Sequence, residues 1–153
     1  MAVDDLVGRW RGSELPTGSP LDGLLAAYGW WGKEVVDADT VHPLLVAGRH
    51  GKPYPVSPSL VPWALVLRRP GLARAPLVRR LGRVARPLAR TRRPGARLRT
   101  VTHRGVASAA LVYDALPIVD VFRRVSQDVL LGLMDARGLD APFAFLLTRV
   151  VPA

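Results

Sequence analysis

The chain has 153 residues, 49% of them hydrophobic, no cysteine, and a formal net charge of +10. That length suits one domain with a real core, and the missing cysteines exclude disulfides, thiolate metal sites and thiol nucleophiles. No apolar run approaches the roughly 18 residues of a membrane-spanning helix, and Met1-Ala2-Val3-Asp4-Asp5 lacks the apolar stretch of a secretory signal, so a cytoplasmic protein is expected.

The charge is unevenly placed. No acidic residue lies between Asp39 and Asp114, a stretch that carries most of the arginines, and Lys33 and Lys52 are the only lysines. His42, His50 and His103 are too far apart to form a local metal motif. A metal site would have to gather distant residues, and no cofactor is expected.

In chain order, residues 6–13 alternate. Leu6, Gly8, Trp10 and Gly12 share one face, and Val7, Arg9, Arg11 and Ser13 the other, which predicts a first strand. Leu15-Pro16-Thr17-Gly18 breaks it. Ser19 as N-cap, Pro20 at the first helical position and Asp22 in the first turn predict a helix over 20–28, with Leu21, Leu24, Leu25 and Tyr28 on one side. Gly29 and Gly32 end it, flanking Trp30 and Trp31.

Short strands are expected at 33–36 and 41–47, turns over 48–57 and a helix over 59–67. Residues 76–90 read as a cationic amphipathic helix. Leu77, Leu81, Val84 and Leu88 form one stripe opposite Arg79, Arg83, Arg86 and Arg90, and Pro87 kinks or ends the helix. The last third predicts strands at 97–104, 106–114, 118–125, 128–136 and 143–151, an antiparallel meander. Both faces of these strands are largely apolar, so two partners must cover them. The expected architecture is mainly β: a single small antiparallel barrel, with an Arg-rich helical insertion at about 59–92 that covers its outside or caps its mouth.

Three N-terminal segments carry a resemblance: Gly8-Arg9-Trp10-Arg11-Gly12, then Leu15 to Gly23, then Gly29-Trp30-Trp31-Gly32-Lys33. Together they resemble the Gly-x-Trp-x-Gly protein family. Tyr113-Asp114, Leu116-Pro117-Ile118, Asp120, Phe122-Arg123-Arg124-Val125 and Gly132-Leu133-Met134-Asp135 resemble that family's C-terminal domain of unknown function. The family pattern has His where this chain has Ser19, so a step resting on that histidine is not expected here. The N-terminal box is also similar to that of the calycins, in which a first-strand Trp packs against an Arg of the last strand. The resemblance implies that Arg149 covers Trp10 and closes one end of a calycin-like barrel. Nitrobindin-like barrels hold haem through a late-strand His, which Phe143 to Val151 lacks.

A two-residue turn at Ser126-Gln127 would pair Asp120 with Leu133. Ile118, Asp120, Phe122 and Arg124 would then lie beside Val129, Leu131, Leu133 and Asp135, with Asp114 joining them. Carboxylates crowded in apolar surroundings cannot all ionise, so Asp120 or Asp135 becomes an acid/base candidate, with Arg124 or Tyr113 to hold a developing anion. Asp114, Phe122, Leu131, Leu133, Trp30 and Trp31 are the candidate ligand contacts. The structural alternatives are an ion pair of Asp120 with Arg124 or Arg99, solvent exposure of the carboxylates, and a core role for Tyr113. The functions these residues suggest are binding of an apolar or amphipathic small molecule, cofactor-free isomerase or cyclase chemistry on such a molecule, or contact with an anionic membrane surface through the basic helix. Nucleic acid is disfavoured, because Trp63 is the only aromatic residue between 60 and 100.

Overall fold

The computed structural model describes residues 1–151, and nine strands of those residues form one antiparallel sheet. They are β1 (Gly8–Leu15), β2 (Trp30–Val35), β3 (Val41–Val46), β4 (Tyr54–Pro55), β5 (Ala96–His103), β6 (Val106–Tyr113), β7 (Ile118–Arg124), β8 (Val129–Ala136) and β9 (Phe143–Arg149). The order is β2-β1-β9-β8-β7-β6-β5-β3-β4, and pairing of β2 with β3 closes an eight-stranded barrel, with β4 as a short addition. This is the mainly β antiparallel barrel that the alternation predicts, in the calycin-like form that the resemblance implied.

Closure is weakest between β3 and β5, which share the single pair Val41–Ala96. The chain between them supplies the helices α2 (Trp63–Arg68), α3 (Pro70–Arg74) and α4 (Pro76–Ala85). With α1 (Leu24–Ala27) they cap one end of the barrel. No helix of the described residues is long and apolar enough to cross a membrane.

Four expectations about local structure need correction. The helix expected over 20–28 is only α1, because Gly23 stands at φ +81°, a left-handed conformation that stops an α-helix from running through it. The Glu14 side chain instead accepts the Ala26 N–H at 2.9 Å and fixes the start of α1 from a neighbouring strand. The helix expected over 76–90 stops being α-helical after Ala85 and tightens to a 3-10 turn at Arg86–Ala89, since Pro87 has no N–H to give. The segment 59–67 splits at Pro62 into a 3-10 turn and α2. Finally, β7 and β8 are joined by four residues rather than two, so Asp120 pairs with Met134, one residue away from the expected Leu133.

The Gly-x-Trp-x-Gly box is a packing device. Trp10 is fully buried and donates its indole N–H to the Leu6 carbonyl at 2.8 Å. Arg149, its directly paired residue on β9, lies 4.2 Å over the indole ring, as the calycin likeness implied. A contact of this kind contributes about 0.5–2 kcal/mol. Arg149 also donates to the carbonyls of Val7 and Asp5, at 3.0 and 2.8 Å. The two glycines leave room for neighbours: a Cβ on Gly12 would fall 2.3 Å from the Trp30 ring, and one on Gly8 would fall 3.1 Å from the Arg149 guanidinium. Trp10, Arg149 and the first turn of the chain thus shut one end of the barrel. The helices stand at the other.

Candidate functional site

The helical end holds an apolar cavity of about 740 Å³. Its floor is the barrel mouth, where Trp30 opens β2, Leu44 and Val46 end β3, Met134 ends β8 and Phe143 starts β9. Leu21, Leu24 and Tyr28 form one wall, and α2, α3 and α4 form the roof. Polar groups are few. Ser57, Arg69 and Arg86 border the cavity, and Arg86 donates to the Tyr28 carbonyl at 3.0 Å. The indole N–H of Trp63 is buried in the lining without a hydrogen-bond partner. A buried donor left open in an apolar wall is a place for an acceptor atom of a bound molecule.

Directly behind this floor lies a buried charge. Asp120 is fully buried and its Oδ2 accepts from Lys33 Nζ at 2.8 Å and from the Tyr113 hydroxyl at 3.1 Å. Lys33 is 2% exposed and donates also to the Tyr113 oxygen and to the Pro43 carbonyl, each at 3.1 Å. Its three N–H groups are therefore all used. The aromatic rings of Trp30, Tyr113 and Phe145 surround the ammonium at 4.9–5.6 Å. The other oxygen of Asp120, Oδ1, is buried without a partner. On the inner face, one row of paired residues runs Phe143, Met134, Asp120, Leu111 and Leu98. The first two line the cavity and Asp120 does not, so the carboxylate sits one strand in from the ligand space.

Burial holds the Tyr113 hydroxyl well above the ordinary phenol value of 10.0, and the adjacent Asp120 carboxylate adds to the shift. The folded state therefore keeps this proton when the unfolded chain has lost it. Stability from Tyr113 is fully present below about pH 10 and falls as pH rises toward the folded pKa, by about 1.4 kcal/mol per pH unit. Tyr28 is shifted the same way by burial, so the informative measurement compares two proteins. Urea unfolding between pH 9 and 11 should show a shallower decline for Tyr113→Phe than for the parent chain; equal slopes would remove Tyr113 as the source.

The one-residue change of register redistributes the residues singled out from the sequence. Asp120, Tyr113 and Phe122 point into the barrel, and Phe122 packs edge-on against Phe145 at 6.0 Å. Asp135, Leu131 and Leu133 turn to the outer face. Asp135 pairs with Val119 and its carboxylate lies 3.6 Å from His103 Nδ1. Side chains alternate along a strand, so a shift of one reverses the face of the whole set. The expected cluster of Asp114, Asp120 and Asp135 is not formed. Asp114 is exposed and ion-paired with Arg97 at 2.8 Å, and Arg124 pairs with Asp5 at 2.6 Å. Neither Arg124 nor Arg99 partners Asp120, since Arg99 goes to Asp39. Trp30 lines the cavity, whereas Trp31 lies on the outside beneath the guanidinium of Arg11. Ser19 is buried and its hydroxyl accepts from the Leu21 N–H.

Lys33 and Trp63 are the residues that sequence reasoning missed. Lys33 lies directly across from Trp10 in the β1–β2 pairing, so it must share the inner face with that indole. The signal was a lysine in an arginine-dominated chain, just after Gly29-Trp30-Trp31-Gly32. It was hidden because irregular pairing around Gly32 breaks the simple alternation of β2.

Fold and cavity together define a calycin-like barrel with one end shut and an apolar chamber at the other. Residues 1–51 match the family model described as GXWXG protein, and residues 94–149 match Domain of unknown function (DUF4334). The crystal structure of a protein from Thermomonospora curvata is 34% identical to this chain, with a TM-score of 0.70, and the likeness covers 99% of this chain and 79% of that one. No curated protein sequence matches. The chain belongs to the GXWXG family and carries its DUF4334 C-terminal domain.

Proposed function

We propose that this protein binds a mostly apolar small molecule with an anionic or hydrogen-bond-accepting end in the chamber between the barrel mouth and the helices. The observation that carries this reading is the chamber itself. Its volume of about 740 Å³ falls within the range of roughly 300–1,000 Å³ typical of small-molecule sites. Its walls are aliphatic and aromatic. Its few polar groups, Arg69, Arg86 and the open N–H of Trp63, could orient one end of a ligand. Acid–base catalysis by Asp120 needs more than this, because that carboxylate is buried and tied to Lys33 behind the floor. Binding needs only the chamber as it stands.

Native mass spectrometry of freshly purified protein should show a retained small molecule. A fluorescent polyunsaturated fatty acid should bind saturably, with transfer from the tryptophans. Ala85 borders the chamber from an exposed position on α4, so Ala85→Trp fills the space without disturbing the barrel. It should weaken probe binding at least about tenfold. A chain that retains nothing and binds no probe, or an Ala85→Trp protein that binds it as well as the parent, would sink the proposal.

A further inference from the structure

Helix α4 packs the wrong way round for a helix that only serves its own domain. Apart from Leu81 at the rim, the residues it turns to the chamber are small: Val78, Gly82 and Ala85 line it, and Gly82 is pressed so closely on Tyr28 that a Cβ would fall 2.5 Å from the ring. The large side chains are left outside. Leu77 is 68% exposed and Val84 71%, and Leu88, in the 3-10 turn that follows, is 87% exposed. Leu81 and Leu88 border the chamber and are still mostly exposed, so they form its rim. Leu65 of α2 and Leu72 of α3, also exposed, extend the apolar surface around the same opening. A soluble helix ordinarily buries its largest apolar residues, and a contiguous exposed patch of this kind marks a contact surface.

The charge around the patch says what covers it. The segment has no acidic residue, and among the described residues none of its arginines is paired with a carboxylate. Arg74, Arg83 and Arg86 instead donate to the backbone carbonyls of Asp22, Ala27 and Tyr28. These bonds fasten the helices to α1 and leave the positive charge uncompensated. Arg68, Arg69 and Arg80 are exposed beside the leucines. A second copy of this face would stack arginine on arginine. A nucleic acid would use the arginines and leave four large aliphatic side chains in water. Aliphatic side chains ringed by cations fit acyl chains beneath anionic headgroups.

We propose that the helical cap docks on an anionic lipid surface, with Leu77, Leu81, Val84 and Leu88 entering the acyl boundary and the flanking arginines on the headgroups. Docking sets the rim of the chamber against the membrane. An apolar ligand then passes between bilayer and chamber without crossing water. The docking surface itself does not depend on what the chamber holds.

The test uses the whole chain and vesicles of phosphatidylcholine, with and without phosphatidylglycerol. The chain should float with the anionic vesicles, not with phosphatidylcholine alone, and high salt should weaken the association. Leu77→Ser with Val84→Ser should reduce vesicle partitioning by about thirtyfold or more. Arg80→Ala should reduce it by about fivefold. Leu77 and Val84 do not line the chamber, so the double variant should bind the fatty-acid probe in solution as the parent does. Lost vesicle binding with probe binding kept separates this proposal from the chamber reading. Absence of binding to anionic vesicles would overturn it, as would vesicle binding indifferent to Leu77→Ser and Val84→Ser. A concentration-dependent dimer dissolved by that double variant would assign the stripe to a second copy instead. DNA binding stronger than vesicle binding would assign the arginines to phosphates.

Discussion

Lys33→Met should lower folding stability by about 3–5 kcal/mol, the usual effect of removing one partner from a buried ion pair. The loss comes less from the attraction forgone than from what stays behind. Asp120 is fully buried, and Lys33 is the cation that it contacts. Without the ammonium, its carboxylate keeps only the Tyr113 hydroxyl. A chain of this size loses about 2–4 °C of melting temperature per kcal/mol, so a drop of about 6–20 °C is expected. Lys33→Met with Asp120→Leu should recover most of the loss, because two apolar side chains of similar volume leave no buried charge. Urea unfolding of the four proteins in this cycle measures the coupling. A single variant that loses less than about 1 kcal/mol would show that the pair behaves as a solvated one, contrary to its burial.

Gly32→Ala should prevent the barrel from closing, at a cost of at least about 4 kcal/mol. Gly32 has φ +155° and lies opposite Arg11, where β2 crosses behind the Gly-x-Trp-x-Gly box. A Cβ there would sit 1.9 Å from the Trp10 carbonyl oxygen and 3.0 Å from the Gly12 nitrogen. Both obstacles are backbone, which cannot rotate aside. The contrast is Gly18→Ala. Gly18 also has positive φ, at +82°, but nothing lies within 4 Å of its added Cβ, so the change should cost only about 1 kcal/mol. Near-UV circular dichroism, which reports the packing of Trp10 and Trp30, should be lost in the first variant and kept in the second. A folded Gly32→Ala protein of parental stability would mean that β1 and β2 can separate without loss, and would refute the close approach.

The two ends of the chain were legible to different depths. Around Trp10, the alternation of residues 6–13 and the calycin likeness predicted both the strand and its Arg149 cover, and the structure has that contact at 4.2 Å. The strand runs Gly8–Leu15 rather than 6–13, with Leu6 in a preceding 3-10 turn, and the faces of residues 8–13 follow from the alternation. At the β7–β8 hairpin the strands were expected within a residue or two of where they are, yet a connection longer by two residues moved Asp135, Leu131 and Leu133 to the outside. Ser126-Gln127 carries no Asn-Gly or Asp-Gly signal that fixes a two-residue turn. The Arg104-Gly105 turn shows the contrast: both residues have positive φ, and the β5–β6 register closes directly around them.

The sequence by itself determined the strands of a barrel, the strand count of its C-terminal part and the insertion of a basic helical segment, because periodicity is a local property, while the closed Trp10 end came from the calycin likeness. It singled out Asp120, Tyr113 and Trp30 as residues of interest. Only the tertiary structure decided who meets whom. Lys33 reaches Asp120 across 87 positions of sequence, through a strand whose alternation is interrupted at Gly32. The leucine stripe of residues 77–88 reads from sequence as a face that needs a cover, either the barrel or an anionic membrane, and in the structure it stands largely outside, because the helix docks through the neighbouring face at Gly82 and Tyr28. An apolar face announces that something must cover it, and the packing of the remaining elements decides whether the cover belongs to the same chain.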